Sequence, residues 1–257
     1  MTSHNLKWMS AAIPLGLAGC DGATPQSVKQ IEQAHAAYRA QRYDDTERLA
    51  TQVAARAPDS PTAAEALYLR GLARLARGRK SEARNDFQAG LDRARRKDLV
   101  GLLHAQLGTM DYDAGAYARA ADHFRAAESE LPDRPPSDEM LVRYGVSLQR
   151  IGRMDEARRV FGRVVARYGN RPAGEEARRK LDWKRDYFSI QCGAFSQEKL
   201  AYEAVQRLRT QGVSAEVDTG YGASNYIVLA GRYRTYDDAS GALPAVRRAA
   251  SDAFIVP

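Results

Sequence analysis

Gly108-Thr109-Met110-Asp111-Tyr112-Asp113-Ala114-Gly115-Ala116-Tyr117-Ala118-Arg119-Ala120-Ala121-Asp122-His123-Phe124 is the stretch from which the fold can be read. Seven residues lead from Gly108 to Gly115, five more to Ala120 and four more to Phe124. The same ladder recurs at a fixed period of 37. Its first column is Ala34, Gly71, Gly108 and Gly145, and its second is Gln41, Gly78, Gly115 and Gly152. The third is Thr46, Ala83, Ala120 and Ala157, and the fourth is Ala50, Phe87, Phe124 and Phe161. Four columns in register over four copies define an internal repeat, the signature of a stacked array.

The chemistry of the columns predicts two helices per copy. Small residues in the first and third columns let the paired helices approach, and the aromatic column fills the space left between them. The glycines of the second column end the first helix of each pair. Pro58, Pro61, Pro132, Pro135, Pro136 and Pro172 punctuate the copies. The ladder resembles the tetratricopeptide repeat. The third copy matches best, with Leu107-Gly108, Gly115, Tyr117, Ala120, Phe124, Ala127 and Pro132. The resemblance implies an all-α solenoid over residues 27–184: four copies, then a capping helix at about Ala173 to Lys184 with Leu181 and Trp183 as its contacts. It also implies a protein-binding groove on the concave side. By position that groove includes His35, Tyr38, Tyr68, Leu72, Tyr112 and Gln149. The family names no single ligand.

The last seventy residues follow another rule. Tyr187 to Cys192 reads as a strand that Gly193-Ala194-Phe195 breaks. Ser196 is placed to cap a helix with Leu200, Ala201, Ala204, Val205 and Leu208 on one side. Gly212 ends it, and Val213 to Thr219 reads as a second strand. Asn225 to Ala230 is a third strand, and Gly231-Arg232-Tyr233 repeats the earlier Gly-x-aromatic triplet 38 residues on. Thr235 and Asp238 open a second helix, in which Pro244 predicts a kink, and Ala253 to Val256 closes the sheet. The order βαββαβ predicts a ferredoxin-like, four-stranded antiparallel sheet with both helices on one face.

Tyr187-Phe188-Ser189-Ile190-Gln191-Cys192-Gly193-Ala194-Phe195, with Tyr226-Ile227-Val228-Leu229-Ala230-Gly231-Arg232-Tyr233, resembles the SPOR domain over residues 186–257. That resemblance implies binding of peptidoglycan, as glycan strands denuded of stem peptides, on the helix-free face of the sheet. Strand alternation turns Phe188, Ile190 and Cys192 toward the helices, and Tyr187, Ser189 and Gln191 away. It likewise turns Asn225, Ile227 and Leu229 outward. The glycan-binding set is therefore Ser189, Gln191, Ala194, Asn225, Ile227 and Leu229. Gln191 offers two donors and an acceptor to a sugar. Ala194 and Asn225 stand where relatives often carry Ser and Trp.

Charge agrees with this division. The net +7 lies in the repeats, because from Leu181 onward nine basic and nine acidic residues balance. An RNA-binding module of the same strand order would show outward aromatics and a basic surround. The outward positions of the two central strands are here Ser189, Gln191, Ile227 and Leu229, and the segment is neutral, so nucleic acid is not an expected partner. Arg93-Ala94-Arg95-Arg96-Lys97 reads as a solvated helix end, with anionic lipid headgroups as an alternative.

The N-terminus predicts export. Lys7 precedes an apolar run from Trp8 to Leu17, well short of the roughly 20 residues that span a bilayer. Leu17-Ala18-Gly19-Cys20 resembles a bacterial lipobox, which implies removal of residues 1–19, acylation of Cys20 (a palmitate-type anchor) and a tether over 20–26. Cys192 is then left as a core residue without a disulfide partner. The four histidines show no metal spacing, and no phosphate loop or nucleophile elbow is present. The expectation is a periplasm-facing envelope lipoprotein with no enzymatic activity, cofactor or metal. It would dock on glycan in cell division or wall remodelling and recruit a protein partner through its repeats. The rival reading is a scaffold for envelope assembly or secretion, in which glycan contact only sets position. Inner and outer membrane both remain open.

Overall fold

The computed structural model describes residues 24–56, 58–131, 137–182, 185–219 and 226–257. The lipobox with Cys20, the residues Pro132, Pro135, Pro136 and Trp183, and Asn225 lie outside them. Nine helices come first: α1 Pro25–Arg39, α2 Tyr43–Arg56, α3 Pro61–Ala76, α4 Lys80–Arg93, α5 Lys97–Asp113, α6 Tyr117–Glu130, α7 Ser137–Arg150, α8 Met154–Tyr168 and α9 Pro172–Leu181. The order then becomes β1 Phe188–Phe195, α10 Glu198–Thr210, β2 Ala215–Asp218, β3 Tyr226–Tyr233, α11 Tyr236–Arg247 and β4 Phe254–Val256. The chain parts into two compact units, Met1–Tyr144 and Gly145–Pro257.

Each repeat column has a distinct physical role. Gly78, Gly115 and Gly152 have φ of +80°, +75° and +79°, the left-handed turn between the two helices of a hairpin. Gln41 occupies the same column with φ +59°, the one non-glycine residue at positive φ among those described. The first column is a steric requirement. A Cβ on Gly71 would lie 2.5 Å from the Phe87 ring, and one on Gly108 would lie 2.8 Å from Phe124. Gly145 meets Phe161 in the same way. All three rings are fully buried. In the first copy the pair is Ala34 and Ala50, both fully buried, so a smaller partner accommodates the added methyl. In the first unit the hairpins stack in series, α2 on α3 and α4 on α5. The core between them holds Tyr38, Tyr68, Leu72, Phe87, Leu99, Leu103 and Leu107.

The second unit joins the end of the helical array to the sheet. Strand order is β2-β3-β1-β4, antiparallel throughout. Ile190, Val228 and Ala230 face α10 and α11. Met154 of α8 shares a small core with Phe188 of β1 and Ala239 of α11. The Arg150 guanidinium lies 3.4 Å from the centre of the Tyr236 ring, which meets Phe188 edge-on. Arg158 donates to the Arg185 carbonyl at 3.1 Å and to Asp186 at 2.5 Å. Helix α8 therefore belongs to the packing of this sheet.

Some local expectations shift. Strand β1 does not stop at Gly193 but continues to Phe195 across a bulge between Gln191 and Gly193. Gln197, not Ser196, precedes α10 at the N-cap, and it makes no side-chain cap. Thr235 and Asp238 do form the capping box of α11, which continues three residues past Pro244. Capping helix α9 ends at Leu181.

The glycine–ring contact is testable by a double-mutant cycle in denaturant. Gly71→Ala should destabilise the chain by about 1–3 kcal/mol through overpacking. Phe87→Ala should cost about 3–5 kcal/mol through the cavity it leaves. The double variant, which recreates the Ala34–Ala50 arrangement, should cost at least about 1 kcal/mol less than the sum. Additive losses would show that the two side chains do not compete for one space.

Candidate functional site

The helix-free face of the sheet is assembled from all four strands. Glu216 of β2 pairs with Leu229 of β3, Leu229 with Gln191 of β1, and Gln191 with Phe254 of β4. These four side chains form one row across the sheet, at about 4.8 Å per strand. A second row runs Asp218, Ile227, Ala194. Tyr187, Ser189, Arg232 and Val256 extend the face toward the start of β1.

The face assigned from alternation is the right one, but its exposure is uneven. Ser189, Ile227 and Leu229 are not open to solvent, at 1%, 6% and 1% exposure. The reason for Ser189 is a bulge. Between Phe188 and Ile190 the partner strand carries an extra residue, with Gly231 at φ +71°, and Ser189 Oγ donates to the Gly231 carbonyl at 2.9 Å. Ile227 and Leu229 are buried although their register places them on this face. Arg185, which precedes β1, is ion-paired with Asp218, and Asp218 stands in register with Ile227. Arg232 grips Glu216 with two nitrogens at 3.0–3.3 Å, and the Tyr187 ring lies 5.2 Å from the Arg232 guanidinium and 6.0 Å from that of Arg185.

The other half of the face is open. Gln191 is half-buried, Ala194 is exposed, and Phe254 beside Gln191 presents a ring at 49% exposure. Sequence reading missed Phe254. Ala253-Phe254-Ile255-Val256 is apolar throughout and reads as a wholly internal strand, although pairing with Gln191 turns Phe254 outward. Cys192 sits at the bulge among helix-facing residues, and burial pushes its thiol up to about 11.

Of the six residues expected to line a groove in the repeats, four are buried. Tyr38, Tyr68 and Leu72 belong to the core of the first unit, and Gln149 is buried in the second. Tyr38 and Gln149 lie four residues beyond the small-residue column, Tyr68 lies three before it and Leu72 directly after. Tyr38, Tyr68 and Gln149 therefore share its buried stripe, whereas Leu72 is buried on the neighbouring side of α3. Burial raises both tyrosine hydroxyls far above their ordinary range. His35 and Tyr112 are half-buried. His35 Nε2 is 2.9 Å from Glu65, and the Tyr112 ring meets Tyr117 edge-on and the Arg143 guanidinium at 5.6 Å.

A polar pair inside the repeats escaped sequence reading. His104 Nδ1 and His123 Nδ1 are 2.9 Å apart, so one ring donates and the other accepts. Asp111 is fully buried beside them, held by Arg84 at 2.9 Å and Arg119 at 3.3 Å, with His123 Nε2 3.8 Å away. Among the described residues no group of His, Cys, Asp or Glu is placed to hold a metal. No described helix is long and apolar enough to cross a membrane.

A one-sided antiparallel βαββαβ sheet with a mixed polar and aromatic outer face is the architecture of a small carbohydrate- or nucleic-acid-binding module, here following helical repeats. Residues 184–257 match the SPOR domain, and residues 139–171 match the tetratricopeptide repeat. The chain therefore carries a SPOR domain, of the peptidoglycan-binding kind, behind a tetratricopeptide-type protein-interaction scaffold. Among solved structures, two crystal forms of MamA AMB-1 are similar to it at 20% and 21% identity. They cover 62% and 61% of this chain and 86% and 79% of their own, each with a TM-score of 0.48. No curated protein matches it in sequence.

The histidine pair gives a pH prediction. Burial lowers both pKa values below the ordinary 6.5, helped at His104 by the neighbouring His123 and opposed by Glu130. At His123 burial is opposed mainly by Asp111, then Asp122, while Arg84 and Arg119 add to it. The folded chain thus binds fewer protons than the unfolded chain below pH 6.5. The stability from the neutral pair is complete above that value and declines as pH falls beneath it. The thermal midpoint should drop between pH 7 and pH 5. His104→Asn, which keeps a hydrogen-bonding group near Nδ1, should flatten that drop. An unchanged slope would assign the pH dependence elsewhere.

Proposed function

We propose that this chain is a non-enzymatic, lipid-anchored envelope protein that docks on denuded glycan strands and holds a protein partner through its helical repeats. The observation that carries the glycan reading is the Gln191–Phe254 pair on the open half of the helix-free face. A carboxamide and an exposed ring in adjacent strands suit a sugar, which offers hydroxyl and acetamido groups at its edge and C–H groups on its faces. The match to the SPOR family supports the same polymer. Ala194, exposed and one row along, leaves room for the chain of sugars to continue. Ile227 and Leu229 are buried beneath this face and back the contact, and Ser189 serves the bulge.

Denuded strands are the preferred form in this reading because a row of side chains lying flat along the sugars leaves no room for stem peptides. Such strands arise where amidases act, which connects the protein to division or wall remodelling. Anchorage through Cys20 would place the sheet within reach of the wall from a membrane. A scaffold role in envelope assembly uses the same two surfaces and differs in where the protein accumulates.

Binding of the full chain to sacculi before and after amidase treatment tests the glycan reading. Binding should rise on treatment. Gln191→Ala should weaken it by about 0.5–1.5 kcal/mol, roughly two- to tenfold. Phe254→Ala should act in the same range, with an unchanged thermal midpoint because the ring is half in solvent. Ile190→Asp should instead unfold the sheet, since it sets a charge against the helices. Indifference of the wild-type chain to amidase-treated sacculi would remove the glycan function.

The anchor is tested apart from this. Cys20→Ser should release the protein from the membrane fraction or leave it unprocessed. A processed, detergent-extractable membrane form of that variant would contradict acylation.

A further inference from the structure

The two arginines on the helix-free face are not used by the glycan contact described above, although they occupy half of that face. Arg185 is 15% exposed and pairs with Asp218, which stands in register with Ile227. Arg232 flanks it, with Tyr187 between the two guanidinia. Each arginine is matched to one carboxylate of β2, Asp218 and Glu216. The arrangement is a pair of guanidinium–carboxylate contacts laid along a potential sugar track and joined by an aromatic ring.

A guanidinium takes a carboxylate through paired N–H donors, and it makes no distinction between an internal and an external one of the same geometry. Cleavage of a stem peptide by an amidase leaves a free carboxylate on the lactyl group of each muramic residue. A strand that keeps its peptides has an uncharged amide at that position. The chemical mark of a denuded strand is therefore a row of anions on the polymer, and the helix-free face holds cations already ordered for anions of that kind.

Resting on the glycan reading above, we infer that Arg185 and Arg232 bind lactyl carboxylates, and that Asp218 and Glu216 hold their places until a denuded strand displaces them. The exchange makes recognition of the denuded state electrostatic as well as steric. Arg185, the more enclosed of the two, contributes more than Arg232, whose contact is screened by solvent.

The test measures binding of the full chain to three soluble probes. These are denuded strands, the same strands with their carboxylates converted to methylamides, and strands that keep their stem peptides. The wild-type chain should bind the denuded strands roughly tenfold more tightly than the methylamide form, the loss expected for one charge-assisted contact. Added salt should narrow that gap. Arg185→Gln should lose most of the preference for the denuded over the methylamide strands, the small remainder being that of Arg232. Arg232→Gln should show a smaller loss in the same direction. Asp218→Asn removes the competing anion and should tighten binding to denuded strands a few-fold. Equal wild-type binding of the denuded and methylamide strands overturns the carboxylate assignment and leaves the glycan reading standing. Peptide-bearing strands bound as tightly as denuded ones would move the anion to the peptide and overturn it too. Weaker binding by Asp218→Asn would make the ion pair a structural tie, not a displaceable contact. Failure of all three probes would overturn the glycan reading and this inference together.

Discussion

A glycine with an aromatic ring pressed against its α-carbon recurs through this chain, and much of the architecture depends on it. In the repeats the contact joins Gly71 to Phe87, Gly108 to Phe124 and Gly145 to Phe161, always sixteen residues apart across one hairpin. In the sheet it joins Gly193 to Phe195 and Gly231 to Tyr233, two residues apart on one strand. Any side chain at these glycines would occupy the volume of the ring. The repeats use the contact to bring two helices together. The sheet uses it at its two bulges, where an aromatic folds back over the strand on the helix side. The same economy of space thus sets helix separation in one part of the chain and strand curvature in the other.

That dependence explains what was legible in the sequence. The period of 37 could be read because Gly–Phe complementarity allows few substitutes, and Ala34 with Ala50 is the one alternative used. The duplicated Gly-x-aromatic triplet stood out for the same reason. Side chains at the edge of the buried stripe were not legible. Tyr38, Tyr68 and Leu72 are amphipathic or apolar residues beside a close-packed column, and nothing in their spacing separates a groove from a core. The sheet presents the same difficulty. Alternation puts Ser189, Ile227 and Leu229 on the helix-free face, but it carries no information on exposure, and all three are buried, Ser189 through its bond to the bulge at Gly231. Phe254 was hidden in an unbroken apolar run, where pairing with Gln191 is the only indication that it faces out.

The domain boundary carries functional weight. Met154, Arg150 and Arg158 pack or bond to residues of the sheet and of the segment just before it, so the last helical hairpin and the sheet share one compact unit. Phe188 and Tyr236 owe part of their burial to a helix of the repeat array. The segment carrying Arg185, just before β1, is held by Arg158 of α8. A SPOR domain cut at the family boundary would lose that support.

The central claim is that sugar is bound on the helix-free face, at the row that includes Gln191 and Phe254. Backbone amide shifts of the isotopically labelled full chain, followed by NMR during titration with denuded glycan strands, report this most directly. The account predicts that the largest changes fall at Gln191, Ala194 and Phe254, spreading to Leu229 and Glu216 along the same row, while amides of α10 and α11 stay in place. Changes concentrated in α10, α11 or the repeats, with Gln191 and Phe254 unmoved, would contradict it.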